Sequence, residues 1–270
     1  MASRAIRLAD STHRAWVTGA SVGIGAAFAR RLARDRYDLA LVARDRERLA
    51  TLAGELRREH GIRADVVAAD LTDRAARAAV EAALEGDEGL DLLINNAGFG
   101  TVGAFAGLDP DGEESEIALN VVALVRLTRA ALPGMLRRGR GAVLNVSSLA
   151  AFQPGPHNAT YAATKAFVNS FSEALHEELR GTGVRAMTLC PGFTHTEFQA
   201  RAQIDVSGIP AAAWMSPEAV VDAALAGLQR GDVVCVPGTA NWLMSSAVSA
   251  MPRALVRRVV GAGAKRLLGK

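Results

Sequence analysis

Tyr161 and Lys165 stand four residues apart in Tyr161-Ala162-Ala163-Thr164-Lys165, a segment of helical period, so both side chains project from one helix face. A free phenol titrates at about 10 and shuttles protons poorly near neutrality, whereas an ammonium beside it favours the phenolate and lowers that value. Such a pair is an acid for carbonyl chemistry when a hydride source lies next to it. Taken alone it is also an ordinary i, i+4 surface pair, so its meaning depends on the elements around it.

Short apolar runs alternate with longer amphipathic segments. Ala15–Thr18, Leu39–Val42, Ala64–Val67, Leu90–Ile94, Ala142–Val146, Val184–Leu189 and Val233–Val236 read as seven strands. Gly23–Arg36, Asp45–Glu59, Thr72–Leu84, Glu113–Arg137 and Asn158–Arg180 have helical length and period. The alternation predicts an α/β fold: a three-layer, doubly wound Rossmann fold with a seven-stranded parallel sheet and helices on both faces. One domain is expected over 1–270, with its core at about 13–237, a substrate loop at 193–216 broken by Gly208 and Pro210, and a basic helical extension at 238–270. A plain connector is the other reading of 193–216.

Hydrophobic residues make up 50% of the 270 and charged residues 22%, values of a globular enzyme rather than a disordered chain. No run of 18 apolar residues occurs, and Arg4, Arg7, Asp10 and Arg14 occupy the N-terminal stretch in place of an apolar signal core, so neither export nor a transmembrane segment is expected. Cys190 and Cys235 lie in apolar strand-like runs and read as buried free thiols, which fits a cytoplasmic setting, and no residue grouping has metal-ligand spacing. The net charge of +3 conceals an asymmetry: no acid follows Asp232, while Arg253, Arg257, Arg258, Lys265, Arg266 and Lys270 are all cationic. The body is therefore mildly acidic, which argues against a nucleic-acid groove.

The first strand runs into Thr18-Gly19-Ala20-Ser21-Val22-Gly23-Ile24-Gly25 and then a helix, the context a phosphate-binding turn requires. Glycines there let the backbone approach a pyrophosphate while the helix N-terminus offers unpaired N–H groups; a structural turn is the alternative. Asp70, Asn95-Asn96-Ala97-Gly98, Ser147-Ser148 and Pro191-Gly192 all fall at the carboxyl ends of later strands, where such sheets bind ligands.

Together these residues resemble the short-chain dehydrogenase/reductase family in its compact single-domain branch. Thr-Gly-x-x-x-Gly-x-Gly, Asn-Asn-Ala-Gly, a Ser thirteen residues before Tyr-x-x-x-Lys, and Pro-Gly followed by Thr occur in the family's order over about residues 13 to 237. The resemblance implies that Gly19, Ser21, Gly23, Ile24 and Gly25 hold the pyrophosphate. It places Asp70 and Leu71 at the adenine, and Asn96, Ala97 and Gly98 at the adenosine ribose region and the floor of the site. Thr194 and Thr196 would meet the nicotinamide carboxamide or the phosphates, and Pro191 and Gly192 would also belong to the cofactor site. It further implies catalytic roles: Tyr161 as acid in reduction and base in oxidation, Lys165 tuning it and bonding the nicotinamide ribose, Ser148 donating to the substrate oxygen, and Asn120 holding a relay water. Ser147 competes with Ser148, and the thirteen-residue offset favours Ser148.

The second strand ends Val42-Ala43-Arg44, with no acid to accept from a ribose 2′-OH, so Arg44, helped by Arg46, is expected to pair a 2′-phosphate and the cofactor to be NADP(H). Pairing of Arg44 with Asp45 or Glu47 is the alternative. Phe99, Ala150, Phe152, Gln153, His157, Phe193, Phe198 and Trp214 are candidate substrate neighbours; most are apolar, which suits a hydrophobic ketone, aldehyde or secondary alcohol. The function expected is an NADP(H)-dependent oxidoreductase, with a non-catalytic dinucleotide sensor or scaffold of the same fold as the alternative. The tail from Pro252 to Lys270 can form an amphipathic helix that packs on its own domain, on a second subunit or on an anionic membrane surface. The resemblance also implies pairing through long helices such as Asn158–Arg180, giving a homodimer or homotetramer.

Overall fold

The inner strands are largely apolar runs with both faces covered, so strands and helices take turns along the chain. The computed structural model describes residues 13–202, 206 and 208–267, with side chains as far as residue 261. The strands are β1 (Arg14–Thr18), β2 (Asp38–Ala43), β3 (Ala64–Ala68), β4 (Leu90–Asn95), β5 (Gly141–Val146), β6 (Val184–Leu189) and β7 (Val234–Cys235). All pair in parallel, in the order β3-β2-β1-β4-β5-β6-β7. The expected seven-stranded, doubly wound sheet is what forms. Its last strand is shorter than Val233–Val236, because only Thr188 and Leu189 of β6 lie opposite it.

Helices α1 (Gly23–Arg34), α2 (Arg46–His60) and α8 (Pro217–Arg230) cover one face; α3 (Arg74–Glu85), α5 (Leu124–Arg138) and α6 (Ala159–Glu178) cover the other. Phe28, Leu41 and Ile94 are fully buried in the first layer, Leu93, Met135 and Val143 in the second. Between β6 and α8 lie the four-residue α7 (Phe198–Arg201) and a short turn of helix at Ala211–Ala213. Strand order reverses between β1 and β4, and the crevice at such a switch point is where doubly wound sheets bind ligands.

Two features depart from the expected elements. The helix foreseen over 113–137 starts at Pro110 as α4 (Pro110–Ile117) and passes through one π turn, Ala118–Ala123, before continuing as α5. This 29-residue stretch is long enough to span a membrane and holds an 18-residue window with a mean hydropathy of 1.4. Here it is a layer helix: Leu127, Ala130, Ala131 and Met135 are buried. The extension beyond β7 forms two helices rather than one, α9 (Thr239–Ala250) and α10 (Arg253–Leu267). Val256 of α10 is buried, while Leu255, Val259 and the α9 residues Trp242, Leu243 and Met244 are exposed. The side chains of Lys265, Arg266 and Leu267, and all of Lys270, lie outside the described residues.

Candidate active site

The turn after β1 is shaped by what a Cβ would strike. Gly19 has φ +66°, and a Cβ there would lie 2.7 Å from Asn96 Nδ2; one on Gly25 would lie 2.2 Å from the Gly19 carbonyl oxygen. The first helical turn thus packs directly on the loop, leaving the backbone open to a bulky anion at the α1 N-terminus. Thr18 ties this turn to the end of β4: its Oγ1 donates to the Ile94 carbonyl and accepts from the N–H groups of Asn96 (2.9 Å) and Ala97 (3.0 Å). Asn96 returns the tie through Nδ2, which donates to the Thr18 carbonyl at 2.8 Å. Asn96 therefore braces the pocket with its side chain. The residues present fit a dinucleotide: a glycine cradle, a helix N-terminus and a braced floor.

At the other end of the crevice, Arg44 is exposed, and its nearest acid is Asp70, 4.0 Å away. Asp45 instead caps α2 and pairs with Arg48, so the alternative partners of Arg44 are not used. The Asp70 carboxyl lies below its ordinary range: partial burial opposes this and is outweighed by the Thr72 hydroxyl and amide together with Arg44. Leu71 has only its backbone left for the expected adenine contact. Its side chain is buried among Val80, Leu127 and neighbouring core residues, because the apolar side chain turns under the sheet edge.

Asn120 occupies the π turn, where the widened helix directs it inward. Its Nδ2 donates to Phe99 O (2.8 Å) and Thr164 Oγ1 (3.1 Å), and its Oδ1 accepts from Phe99 N (3.1 Å). Lys165 is also buried and donates to the Val146 carbonyl at 2.9 Å. Both converge on Gly98, where a Cβ would lie 2.9 Å from Asn120 Oδ1 and 3.4 Å from Lys165 Nζ. The two serines separate cleanly: Ser147 donates to the Lys165 carbonyl, while the Ser148 hydroxyl neighbours the Tyr161 phenol. Thr194 is buried and its Oγ1 turns to the Gly192 carbonyl; Thr196 sits against Gly23, where a Cβ would come within 3.0 Å of Thr196 Cγ2. Pro191 accepts from Leu149 N, fixing the strand end beside Ser148.

The electrostatics depart from the expected lowered phenol. Burial pushes Tyr161 up to about 12, with the Ser148 hydrogen bond pulling down and Glu116 pushing up. Lys165 Nζ lies 5.5 Å from the centre of the Tyr161 ring. Burial lowers it to about 8, against the opposing pull of Glu116. Near neutrality both groups carry their protons, and that is the form that donates.

The loop after β6 lies over this face. A bridge joins Thr194 to Met215, His195 N donates to Met215 O and Met215 N to Phe193 O, so the two ends of the 193–216 segment are pinned together. The Phe198 ring packs 5.5 Å from that of Tyr161, and Trp214 stacks on His195 at 4.7 Å. Arg48 on α2 reaches across to Glu197, 3.0 Å away. A cavity of about 930 Å³ opens between α1 and this loop, bordered by Gly23, Thr196 and Trp214; none of the four candidate catalytic residues lines it. Of the substrate candidates, Phe193 is exposed, as is His157, which has φ +63° before α6. Glu113, Glu116, Thr101 and Thr160, which form a buried polar cluster behind Tyr161, escape sequence reasoning because the acidic run Asp109–Glu116 reads as a solvated helix start.

A doubly wound sheet with a glycine cradle at its switch point and a Ser, Tyr and Lys gathered at the same edge defines a Rossmann-fold oxidoreductase. The model of the short chain dehydrogenase family matches residues 13–206, and the chain belongs to that family. It is 34% identical over 241 residues to a very-long-chain 3-oxoacyl-CoA reductase of Anas platyrhynchos, covering 86% of this chain and 75% of the relative. Among solved structures, a short-chain dehydrogenase from Sphingobium yanoikuyae in complex with NADPH superposes with a TM-score of 0.81 at 40% identity, covering 90% of this chain and 97% of that one. A bulky-bulky ketone specific alcohol dehydrogenase from Comamonas testosteroni gives a TM-score of 0.77 at 34% identity, covering 91% and 97%. The protein is an oxidoreductase acting on carbonyl and alcohol groups.

Proposed function

We propose that this protein is an NADP(H)-dependent reductase of bulky hydrophobic ketones or aldehydes, running in reverse on the corresponding alcohols. The observation that carries the reading is the Tyr161 phenol, flanked by the Ser148 hydroxyl and the Lys165 ammonium, covered by Phe198 and proton-bearing at neutral pH. A bound nicotinamide supplies the hydride in reduction. Ser148 donates to the substrate oxygen, Tyr161 gives that oxygen its proton, and Lys165 restores the proton to Tyr161. Asn120 holds Phe99 and Thr164 in place at the inner end of the site, where it borders Lys165 across Gly98.

Arg44 supports NADP(H). Its guanidinium faces solvent at the end of β2, has no ion pair tighter than 4.0 Å, and is poised for a 2′-phosphate. The neighbour solved with NADPH points the same way. For the substrate, Phe193, Phe198 and Trp214 offer an apolar lining. The ketone dehydrogenase of Comamonas testosteroni and the long-chain acyl reductase are named for substrates of that kind. We propose also that the chain forms a homo-oligomer through the outer face of α6.

A screen of NADPH oxidation against aromatic, steroidal and long-chain ketones tests the reading, with NADH run in parallel. Tyr161→Phe is expected to cut turnover by about three orders of magnitude or more while NADPH binding is kept. Near wild-type turnover in that variant removes Tyr161 from its role. Equal kcat/KM for NADH and NADPH, or no loss of NADPH preference in Arg44→Ala, removes Arg44 from its own.

A further inference from the structure

Glu116 has 0% of its surface exposed, yet none of the chemistry above uses it. It lies one turn before Asn120 on the same continuous helix. Its Oε2 accepts from both the N–H and the Oγ1 of Thr101, each at 2.8 Å. Its Oε1 is buried and, among the described residues, has no hydrogen-bond partner. A carboxylate kept in such a place is costly and calls for an explanation.

The segment it holds gives one. Gly100 lies so close to Tyr161 that a Cβ would fall 2.8 Å from ring atom Cδ2. Asn120 grips Phe99 through both its N–H and its carbonyl, and Glu116 grips Thr101. One helix thus clamps both ends of the three residues that back the Tyr161 ring. The charged and titratable groups around the carboxylate are few. Glu113, one turn earlier, takes the hydroxyls of Thr101 and Thr160; Tyr161 and Lys165 face it from α6; Cys190, at the end of β6, faces Lys165. Burial raises Glu116 above the ordinary carboxyl range, Thr101 lowers it, Glu113 raises it and Lys165 lowers it. Its negative charge in turn holds protons more tightly on both Lys165 and Tyr161.

We propose that Glu116 is a positioning residue of the catalytic group: its buried side chain, one turn before Asn120, helps fix residues 99–101 against Tyr161 and sets a carboxylate beside the Tyr161–Lys165 pair, an arrangement that favours carbonyl reduction. The inference rests on the catalytic reading of Tyr161 and Lys165. In reduction the Tyr161 O–H bond breaks, its proton passes to the substrate oxygen as the hydride forms the new C–H bond, and the Lys165 ammonium refills the phenolate. Each proton donor in that sequence is held in its loaded form by the same anion.

The test uses the full chain and two readouts. Lys165 is the only lysine before residue 265, so 13C-labelled lysine gives three side-chain signals, with Lys165→Arg assigning the one of interest. In Glu116→Gln the Lys165 titration is expected to move down by about half a unit or more, and the alkaline limb of NADPH-dependent ketone reduction to move the same way. The loss of turnover should be smaller below neutrality than on the alkaline side, and Glu116→Asp, which keeps the charge, should leave the limb in place. A fall in turnover at all pH values with neither titration moved overturns the proposal in favour of a purely structural role. Should the Gln variant not fold, the wild-type Lys165 signal must itself show a step in the acid range as Glu116 takes up its proton; a flat trace there also overturns it. If no carbonyl compound is reduced, the catalytic reading fails, while the lysine titration still decides whether Glu116 acts on Lys165.

Discussion

Lys165 shows how a residue's chemistry sets its cost. Of the 31 basic residues all but three are arginine, and Lys165 alone is a lysine in the body of the chain, at a position where a guanidinium could not give up a proton. Burial lowers it from 10.5 to about 8. Between those values the unfolded chain binds a proton that the native protein does not, so native stability rises with pH across the window and the ammonium is a liability below it. Lys165→Met should therefore raise stability at pH 7 by about 1 to 3 kcal/mol, with the gain shrinking between pH 8 and 10.5 and turnover abolished. Thermal unfolding across that pH range reads it out, and an unchanged or lower Tm at pH 7 would show that the bond to Val146 outweighs desolvation. Tyr161, Lys165, Ser148 and Asn120 were legible through the order and spacing of the motifs and the family resemblance these carry, not through residue type alone. The motifs did not point to Glu116, since an acid near a helix start is ordinarily solvated and only the fold shows that it is not.

At the scale of elements, strands were legible because a parallel sheet largely buried on both faces leaves apolar runs, and all seven fall within a residue of where the runs lie. The π turn was not legible: Ala118–Ala123 continues the helical pattern, and one extra residue per turn leaves no mark in composition. Nor was the division of the expected helical extension into α9 and α10, which the sequence marks only with Pro252. Yet the π turn aims Asn120 at Gly98, and that junction of three elements is where small volumes matter. Gly98→Ala places a methyl 2.9 Å from Asn120 Oδ1 and 3.4 Å from Lys165 Nζ, so the amide and the ammonium must give way. Turnover is expected to fall about tenfold or more, since displacements of this size disrupt a reacting geometry. Gly54→Ala, in the middle of α2 with nothing within 4 Å of the new methyl, is the matched control and should raise Tm slightly without touching turnover. Equal turnover in the two variants would sever Gly98 from the catalytic group.

The whole molecule carries its chemistry on one edge of the sheet and an unusual surface on the far side of the catalytic helix. A solvent-facing helix normally shows charge. Along its first four turns the exposed stripe of α6 runs instead through Ala163, Ala166, Phe167, Ser170 and Ala174, its charge being confined to Glu173, Glu177 and Glu178 toward the C-terminal end, with Phe167 stacked on Phe171 at 5.9 Å and still 43% exposed. Small side chains around one large aromatic make a flat apolar strip on which another helix can lie closely. Two copies meeting through it would bury the same patch on each, as a two-fold axis demands. The strip shares its helix with Tyr161 and Lys165, so pairing would also brace the backbone that spaces them. Phe167→Glu puts a charge at the centre of that contact, where an unpaired buried ion is costly. Light scattering at micromolar concentration should show the wild type as a dimer or larger and the variant as a smaller species, with Tm lowered and becoming independent of protein concentration. A monomeric wild type, or an unchanged assembly in the variant, would mean that the strip faces solvent and that α6 holds its catalytic residues through packing on β5 and β6 alone.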